Sequence, residues 1–138
     1  MSRAKATVLV AALLAAAAPA PGQEPAAPLS AEAFAARVTG RTLTYSTPGG
    51  TYGMEQYLPG RRVIWRFMDS ECQRGVWYEA GEHICFVYDA VRTPQCWSFF
   101  EEGDGLRARF EGPGGGGDLV TVEESDSPLT CPGPQVGV

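Results

Sequence analysis

Short runs of β-branched and aromatic residues alternate with glycine and proline breaks along most of the chain. The clearest pattern runs from Leu106 to Glu111, where apolar residues occupy every second position, as in a strand with one buried face. The runs predict eight strands: Thr42–Thr47, Tyr52–Leu58, Arg62–Met68, Gly75–Glu79, His83–Asp89, Gln95–Glu101, Leu106–Glu111 and Leu119–Glu123.

The breaks between these strands are too short for parallel pairing, because a parallel crossover needs about a dozen residues or more. The strands are therefore expected to pair as antiparallel hairpins in chain order. The sequence predicts a mainly β fold, an antiparallel meander of about eight short strands with one short N-terminal helix. The meander forms either a small, lipocalin-like barrel or a strongly twisted sheet, and the pattern does not choose between them.

The helix is predicted ahead of the strands, over Leu29–Thr39. Ser30 is a favourable N-cap, Glu32 lies in the first turn, and Gly40 follows the last turn as a stop signal. Phe34 belongs to a narrow apolar stripe on one face. A helix this short is not stable alone, so it must dock on the sheet.

The first 22 residues have the composition of a secretory signal peptide. Arg3 and Lys5 precede an uncharged apolar run over Ala6–Ala18, and small residues and helix breakers follow it. The run is too short for a membrane span, which needs about 20 residues. We expect cleavage near Gly22 rather than an uncleaved anchor.

The rest of the chain is predicted to be one domain. Residues 23–28 read as a flexible lead, 29–131 as a single β-rich domain and 132–138 as a flexible tail. We expect no transmembrane segment after removal of the signal peptide over 1–22. The predicted location is therefore the periplasm or the outside of the cell.

Charge argues against nucleic acid as a partner. The chain has 11 basic and 16 acidic residues and a net charge of −5. Removing Arg3 and Lys5 with the signal peptide makes that charge −7. An acidic protein has no electrostatic attraction for the phosphates of nucleic acid or of an anionic membrane.

Four cysteines in an exported chain indicate disulfides. Folding the fifth and sixth predicted strands about residues 90 and 91 places Cys85 opposite Cys96, where Cβ atoms lie about 4.5–5.5 Å apart. This leaves Cys72 to pair with Cys131, which would hold the C-terminal segment against the sheet. The alternative is a zinc site, but spacings of 13, 11 and 35 residues lack the close pairs of zinc ligands. We expect no metal.

The sequence contains no recognised catalytic or cofactor motif. His83 is the only histidine, no G-x-S-x-G elbow is present, and the run Gly114–Gly117 lacks the following Lys of a phosphate loop. We therefore expect no cofactor and assign no catalytic residue. Glu101, Glu102 and Asp104 cluster at one turn, which leaves a glycan- or peptidoglycan-directed hydrolase as an alternative.

Aromatic residues fall in nearly every predicted strand. The simpler interpretation is a β core, which bulky rings fill well. The alternative is a ligand cup or a binding face for an anionic partner, with four arginines of adjacent strands beside it. Those arginines are Arg62, Arg66, Arg107 and Arg109.

Several short motifs follow the predicted helix in order: Gly40-Arg41-Thr42, Tyr52–Tyr57, Gly75-Val76-Trp77-Tyr78, Ile84-Cys85-Phe86-Val87-Tyr88 and Cys96-Trp97-Ser98-Phe99. This order resembles a family of small exported bacterial envelope proteins of unknown function. The resemblance covers about Leu29 to Phe100. It implies a β-rich, envelope-associated protein without established catalytic residues.

These observations predict a non-catalytic binding or envelope-associated protein. Its partner would be an envelope protein, an apolar ligand or a cell-wall fragment. Besides the hydrolase, a periplasmic enzyme inhibitor is a second alternative, because such inhibitors are similar in size, export and disulfides. The chain shows none of their inhibitory motifs.

Overall fold

One helix and eight strands make up the described part of the chain, which comprises residues 16–18, 22 and 26–132 of a computed structural model. The predicted signal peptide over 1–22 and the predicted tail over 132–138 fall almost wholly outside the described residues. In chain order the elements are α1 Ala31–Val38, β1 Thr42–Thr47, β2 Gly50–Leu58, β3 Arg62–Arg66, β4 Gln73–Ala80, β5 His83–Tyr88, β6 Gln95–Glu102, β7 Gly105–Phe110 and β8 Leu119–Ser125.

Every predicted strand is present, and each of its ends lies within two residues of the predicted position. Strand β3 shows one of the larger differences, because it ends at Arg66 and not at Met68. The backbone of Met68 has a φ of 33°, in the left-handed region that a strand does not adopt. The chain therefore turns before the apolar pattern ends.

Helix α1 begins and ends at the residues that carry its sequence signals. The Ser30 hydroxyl accepts a hydrogen bond from the Ala33 amide at 3.1 Å, which is the N-cap interaction. Gly40 has a φ of 84°, which glycine adopts readily at a helix stop. The helix has eight residues and is shorter than the predicted Leu29–Thr39, because the capping residues lie outside it.

The strands form a closed antiparallel barrel in which each strand pairs with its neighbours in sequence and β8 pairs with β1. This confirms the mainly β meander and selects the barrel over the open twisted sheet. Strand β1 has a register shift on each side, between Tyr45 and Ser46 toward β2 and between Thr44 and Tyr45 toward β8. Such irregularities bend and twist a strand, which helps a sheet to close on itself.

Alternate side chains of each strand fill the barrel interior. In β7 the predicted alternation is observed, since Leu106 and Ala108 are buried and Arg109 is exposed. Aromatic residues dominate this interior, as the simpler sequence interpretation predicts. The core residues contributed by the strands are Leu43, Tyr45, Tyr57, Val63, Trp65, Trp77, Ile84, Phe86, Tyr88, Phe99, Leu106, Ala108 and Leu119.

Helix α1 closes one end of the barrel. The ring of Phe34 is fully buried, with its centroid 5.6 Å from that of Tyr57 and 4.3 Å from that of Phe99. The Leu29 amide donates to the Phe99 carbonyl at 2.7 Å, and the Gly40 amide donates to the Tyr57 carbonyl at 2.8 Å. Both ends of the helix are thus hydrogen-bonded to strands.

The opposite end is formed by the β1–β2, β3–β4, β5–β6 and β7–β8 connections, and no described helix covers it. Large apolar side chains are exposed there. Tyr52 and Phe67 are 38% and 41% exposed, and Met68 and Val91 lie in the adjoining loops. The barrel therefore has one end filled by a helix and one end with an apolar rim.

Two disulfides link the described cysteines in the predicted pairs. Cys85 lies directly opposite Cys96 in the β5–β6 ladder and is bonded to it. Cys72 is bonded to Cys131, which lies beyond β8. Disulfides are compatible with an extracytoplasmic location.

The segment of residues 126–131 lies against the outside of the barrel. The Thr42 hydroxyl donates to the Ser127 carbonyl at 2.7 Å, and the Leu129 amide donates to the side-chain oxygen of Gln56 at 3.1 Å. The Arg66 guanidinium donates to a backbone carbonyl of the same segment. We call residues 126–131 the C-terminal strap, because the second disulfide fixes its end.

Within the described residues, none of the helices has the length and apolar character that crossing a bilayer requires.

Replacing Cys72 and Cys131 together with serine is expected to lower the free energy of unfolding by about 2–4 kcal/mol. The bond spans a sequence separation of 59, so its loss restores a large amount of conformational entropy to the unfolded chain. Urea denaturation followed by tryptophan fluorescence measures the loss.

The variant Gln56→Ala is the control for this experiment, because it keeps the bond and removes a single strap hydrogen bond, worth about 1 kcal/mol. An unchanged unfolding midpoint in the double serine variant would show that the disulfide does not stabilise the fold.

Candidate ligand-binding site

A cavity lies in the half of the barrel interior that faces away from the helix. Its volume is about 60 Å³, counted as space for the centres of water molecules. One water needs about 10–15 Å³ on this measure, so the cavity has room for roughly four. Nine of its fourteen lining residues are aromatic, which makes the walls mostly apolar.

The cavity reaches the surface at the open end of the barrel. Tyr52 and Phe67 line it and are also exposed, so they form its rim. Their ring centroids are 5.3 Å apart, and that of Phe67 lies 5.1 Å from that of Trp65. The rim is therefore a continuous aromatic surface that joins solvent to the interior.

Gly53 in β2 allows Trp65 to form the cavity wall. A Cβ atom at residue 53 would lie 2.4 Å from Cζ2 of Trp65 and 2.7 Å from the Arg66 carbonyl oxygen. The indole thus lies against the backbone of the neighbouring strand, in space that any other residue would occupy. A side chain at this position would push the Trp65 ring from its place.

Glu55 is the acidic residue of the cavity. It alternates with Gly53 and Tyr57 on the inward face of β2 and is 2% exposed. The Tyr88 hydroxyl donates to its carboxyl group, at 3.1 Å from Oε1 and 3.0 Å from Oε2. Among the described residues, Tyr88 is the one side chain hydrogen-bonded to Glu55.

Burial controls the ionisation of this carboxyl group. It raises the pKa of Glu55 well above its ordinary range, because the charged form loses its hydration. The hydrogen bond from Tyr88 acts in the opposite direction but does not cancel the effect. Glu55 therefore keeps its proton to a higher pH than an exposed glutamate does.

A pair of hydrogen-bonded tyrosine hydroxyls lies beside Glu55. The phenol oxygens of Tyr45 and Tyr57 are 2.7 Å apart, and both side chains are buried. Burial raises the pKa of both phenols, so both retain their protons. One proton makes the bond between them, which leaves the other available to a molecule in the cavity.

The three tryptophans divide between the two halves of the interior. Trp65 and Trp97 line the cavity. Trp77 instead packs against the helix, with its centroid 5.2 Å from that of Phe34, and the guanidinium of Arg61 lies 4.5 Å from its ring centroid. The interior is therefore a filled core at one end and an aromatic cavity at the other.

The alternative interpretation, in which four arginines on adjacent strands lie beside a ligand cup, is wrong. Arg62 and Arg66 belong to β3, whereas Arg107 and Arg109 belong to β7, on the other side of the closed barrel. None of the four lines the cavity. Strands β4, β5 and β6 lie between β3 and β7 in the meander, so the two pairs of arginines are not neighbours.

The arginines of β7 have partners of their own outside the barrel. The guanidinium of Arg107 lies 4.4 Å from the Phe100 ring centroid and 2.8 Å from the carboxylate of Asp118. Arg109 lies over the same ring and 2.8 Å from Glu111. These contacts cover Phe100, which is outside the barrel yet 5% exposed.

The acidic turn residues of the hydrolase alternative lie at the helix end, away from the cavity. Glu101 and Glu102 end β6, Asp104 lies in the turn that follows, and all three are exposed. Glu101 is 3.7 Å from Arg37, and Glu102 is 3.8 Å from Arg107. The structure does not bring them to the cup, and the hydrolase alternative stays a prediction.

Sequence reasoning missed Glu55, although the hairpin register holds a signal for it. In the β2–β3 hairpin, residues that are equally distant from Gly60 in sequence pair with each other. Glu55 therefore lies opposite Trp65. On its other side Glu55 pairs with Leu43. An acid between two inward-facing apolar residues must point into the barrel.

The chain matches no protein-family model, no curated protein and no solved structure. The resemblance to exported envelope proteins stays a prediction.

Replacing Glu55 with glutamine is expected to flatten the dependence of stability on pH. Folding raises the pKa of Glu55, so the unfolded chain releases this proton at a lower pH than the folded protein does. Between the two pKa values the folded state binds more protons, and its stability falls as pH rises by up to about 1.4 kcal/mol per pH unit. The Glu55→Gln variant has no carboxyl group at this position, so its stability does not fall with pH for this reason.

Urea denaturation from pH 4 to pH 9 measures the effect. The stability difference between Glu55→Gln and the natural protein should be smallest at the acid end and grow in favour of the variant as pH rises. Glu71→Gln, which removes an exposed acid near the open end, is the matched control and should parallel the natural protein. A difference for Glu55→Gln that stays constant with pH would contradict the assignment.

Proposed function

We propose that this protein is an exported, non-catalytic binding protein that takes a small molecule with an apolar body into the open end of its barrel. The observation that carries the proposal is the aromatic cavity, which is continuous with the exposed rim of Tyr52 and Phe67. The disulfides support a periplasmic or secreted location.

The composition of the cavity supports ligand binding. Small-molecule sites are mostly apolar and aromatic, with a few placed polar groups that set orientation. Here the polar side chains that accompany the rings are Glu55, Gln73 and Gln95, together with the tyrosine hydroxyls. Aromatic rings offer a large contact area with few rotatable bonds, so ordering them on binding costs little entropy.

The size of the cavity indicates how a ligand is held. A volume of about 60 Å³ admits a small end group and not a whole drug-sized molecule. The rest of the ligand would then lie across the rim, against Tyr52 and Phe67. Met68, which is 46% exposed beside the rim, adds a flexible apolar side chain that adapts to different shapes.

The residues of the cavity also support binding without chemistry. Among the described residues that line it there is one carboxyl group and no histidine, cysteine, serine or lysine. Acid–base catalysis and nucleophilic catalysis commonly use such groups in pairs. Burial raises the pKa of the Tyr45, Tyr57 and Tyr88 hydroxyls, so they stay protonated and do not supply a phenolate base.

Replacing Ala108 with leucine is expected to weaken ligand binding at least about tenfold, because the larger side chain fills the cavity that Ala108 lines. Fluorescence titration of Trp65 and Trp97 with hexyl and benzyl alcohols, amines and carboxylates measures binding. At least one of these probes should bind saturably to the natural protein.

Ala80→Leu is the matched control, because it makes the same substitution at an exposed position at the end of β4 that does not line the cavity. Phe67→Ala at the rim is a second test that leaves the interior packed, and it should weaken binding severalfold. The proposal is overturned if none of the probes binds saturably, or if Ala108→Leu and Phe67→Ala both bind as the natural protein does.

A further inference from the structure

We infer that the group entering the cavity is an organic ammonium cation on an apolar body, with the Glu55 carboxylate as its counter-ion and tyrosine rings around it. This inference rests on the proposed function, because it names the class of ligand for the same site. It follows from the charge, the free acceptor capacity and the aromatic surroundings of Glu55.

The charge that the side chains of the cavity can carry is negative. Glu55 is its ionisable acid, and the described residues that line it include no arginine, lysine or histidine. The arginines nearest in sequence to the lining residues face outward, as Arg66 does toward the strap and Arg107 toward Asp118. A carboxylate or phosphate group entering the cavity would meet no positive partner, whereas an ammonium group would meet a negative one.

Glu55 has unused capacity to accept hydrogen bonds. A carboxylate offers about four lone-pair positions on its two oxygens. Tyr88 supplies a single proton, which both oxygens share at 3.1 and 3.0 Å. The remaining positions suit the three N–H donors of a primary ammonium group.

Aromatic faces complete the site. The rings of Phe86 and Tyr88 are parallel within 9°, with centroids 6.4 Å apart, and the Tyr45 ring lies 6.3 Å from that of Trp65. All four residues line the cavity. The faces of such rings carry negative electrostatic potential and attract cations, most strongly where water is excluded.

Binding of an ammonium group would couple to the ionisation of Glu55. A ligand that is already protonated pairs with the carboxylate, and protonated Glu55 releases its proton to solvent. Burial raises the pKa of Glu55, so the unbound protein holds this proton over a wider pH range than it would with an exposed glutamate. Over that range, binding of the cation releases the proton. Affinity for the cation should therefore increase with pH while the ligand stays protonated.

The other titratable groups that face Glu55 are phenols. They are Tyr45 on β1, Tyr52 and Tyr57 on β2 and Tyr88 on β5, and burial raises the pKa of Tyr45, Tyr57 and Tyr88. The lining residues contributed by β3, β4, β6, β7 and β8 carry no titratable group. Of the described residues that line the cavity, Glu55 is thus the one carboxylic acid.

Three probes with the same hexyl body test the inference, namely hexylammonium, 1-hexanol and hexanoate. Titration of the full mature protein from pH 5.5 to pH 8.5 should give hexylammonium at least tenfold tighter binding than 1-hexanol at pH 8, with hexanoate weakest. Calorimetry in two buffers of different ionisation enthalpy should show up to about one proton released per bound cation at acid pH.

Glu55→Gln should weaken hexylammonium binding at least tenfold, abolish proton release and reduce the affinity for hexylammonium more than that for 1-hexanol. Glu71→Gln removes the same charge from the exposed loop near the open end and should change none of the three affinities.

Equal affinities for 1-hexanol and hexylammonium, with no effect of Glu55→Gln, would overturn the cationic ligand and leave the binding function intact. Tighter binding of hexanoate would also overturn it. Failure of all three probes and of the benzyl series to bind would overturn the binding function itself.

Discussion

Closure of eight strands into a ring is the constraint on which the rest of this structure depends. Pairing of β1 with β8 fixes the interior volume, and inward-facing side chains must fill it. The chain adds one helix of eight residues, which fills the interior near its own end through Phe34. At the other end rings line the walls without meeting in the middle, and a cavity remains.

The interior also holds the carboxyl group of Glu55, which a purely apolar core would lack. A buried carboxyl group with one hydrogen-bonding side chain costs stability, and residues that break the local rules of a fold are expected at functional sites. In Glu55 this cost coincides with the cavity, the aromatic rim and the inward-facing phenols. The arginines of β7, in contrast, are paired with acids and cover apolar surface, as Arg107 does over Phe100.

Local pattern predicted most of the fold because antiparallel hairpins are local structures. The position of Cys85 opposite Cys96 follows from counting residues about a turn, and so did the disulfide. What depends on closure, the pairing of β1 with β8, was not predictable in this way. The inward direction of Glu55 follows from the same counting about turns, because its partners Leu43 and Trp65 belong to the two adjoining hairpins, but nothing in the linear pattern shows the cavity beside it.

A crystal structure of the mature protein with hexylammonium at pH 8 tests the central claim most directly. The account predicts the amine nitrogen inside the barrel, about 3 Å from a carboxylate oxygen of Glu55, with the hexyl chain across the rim against Tyr52 and Phe67. A cavity that stays filled by protein side chains or water while the amine lies elsewhere on the surface would contradict it.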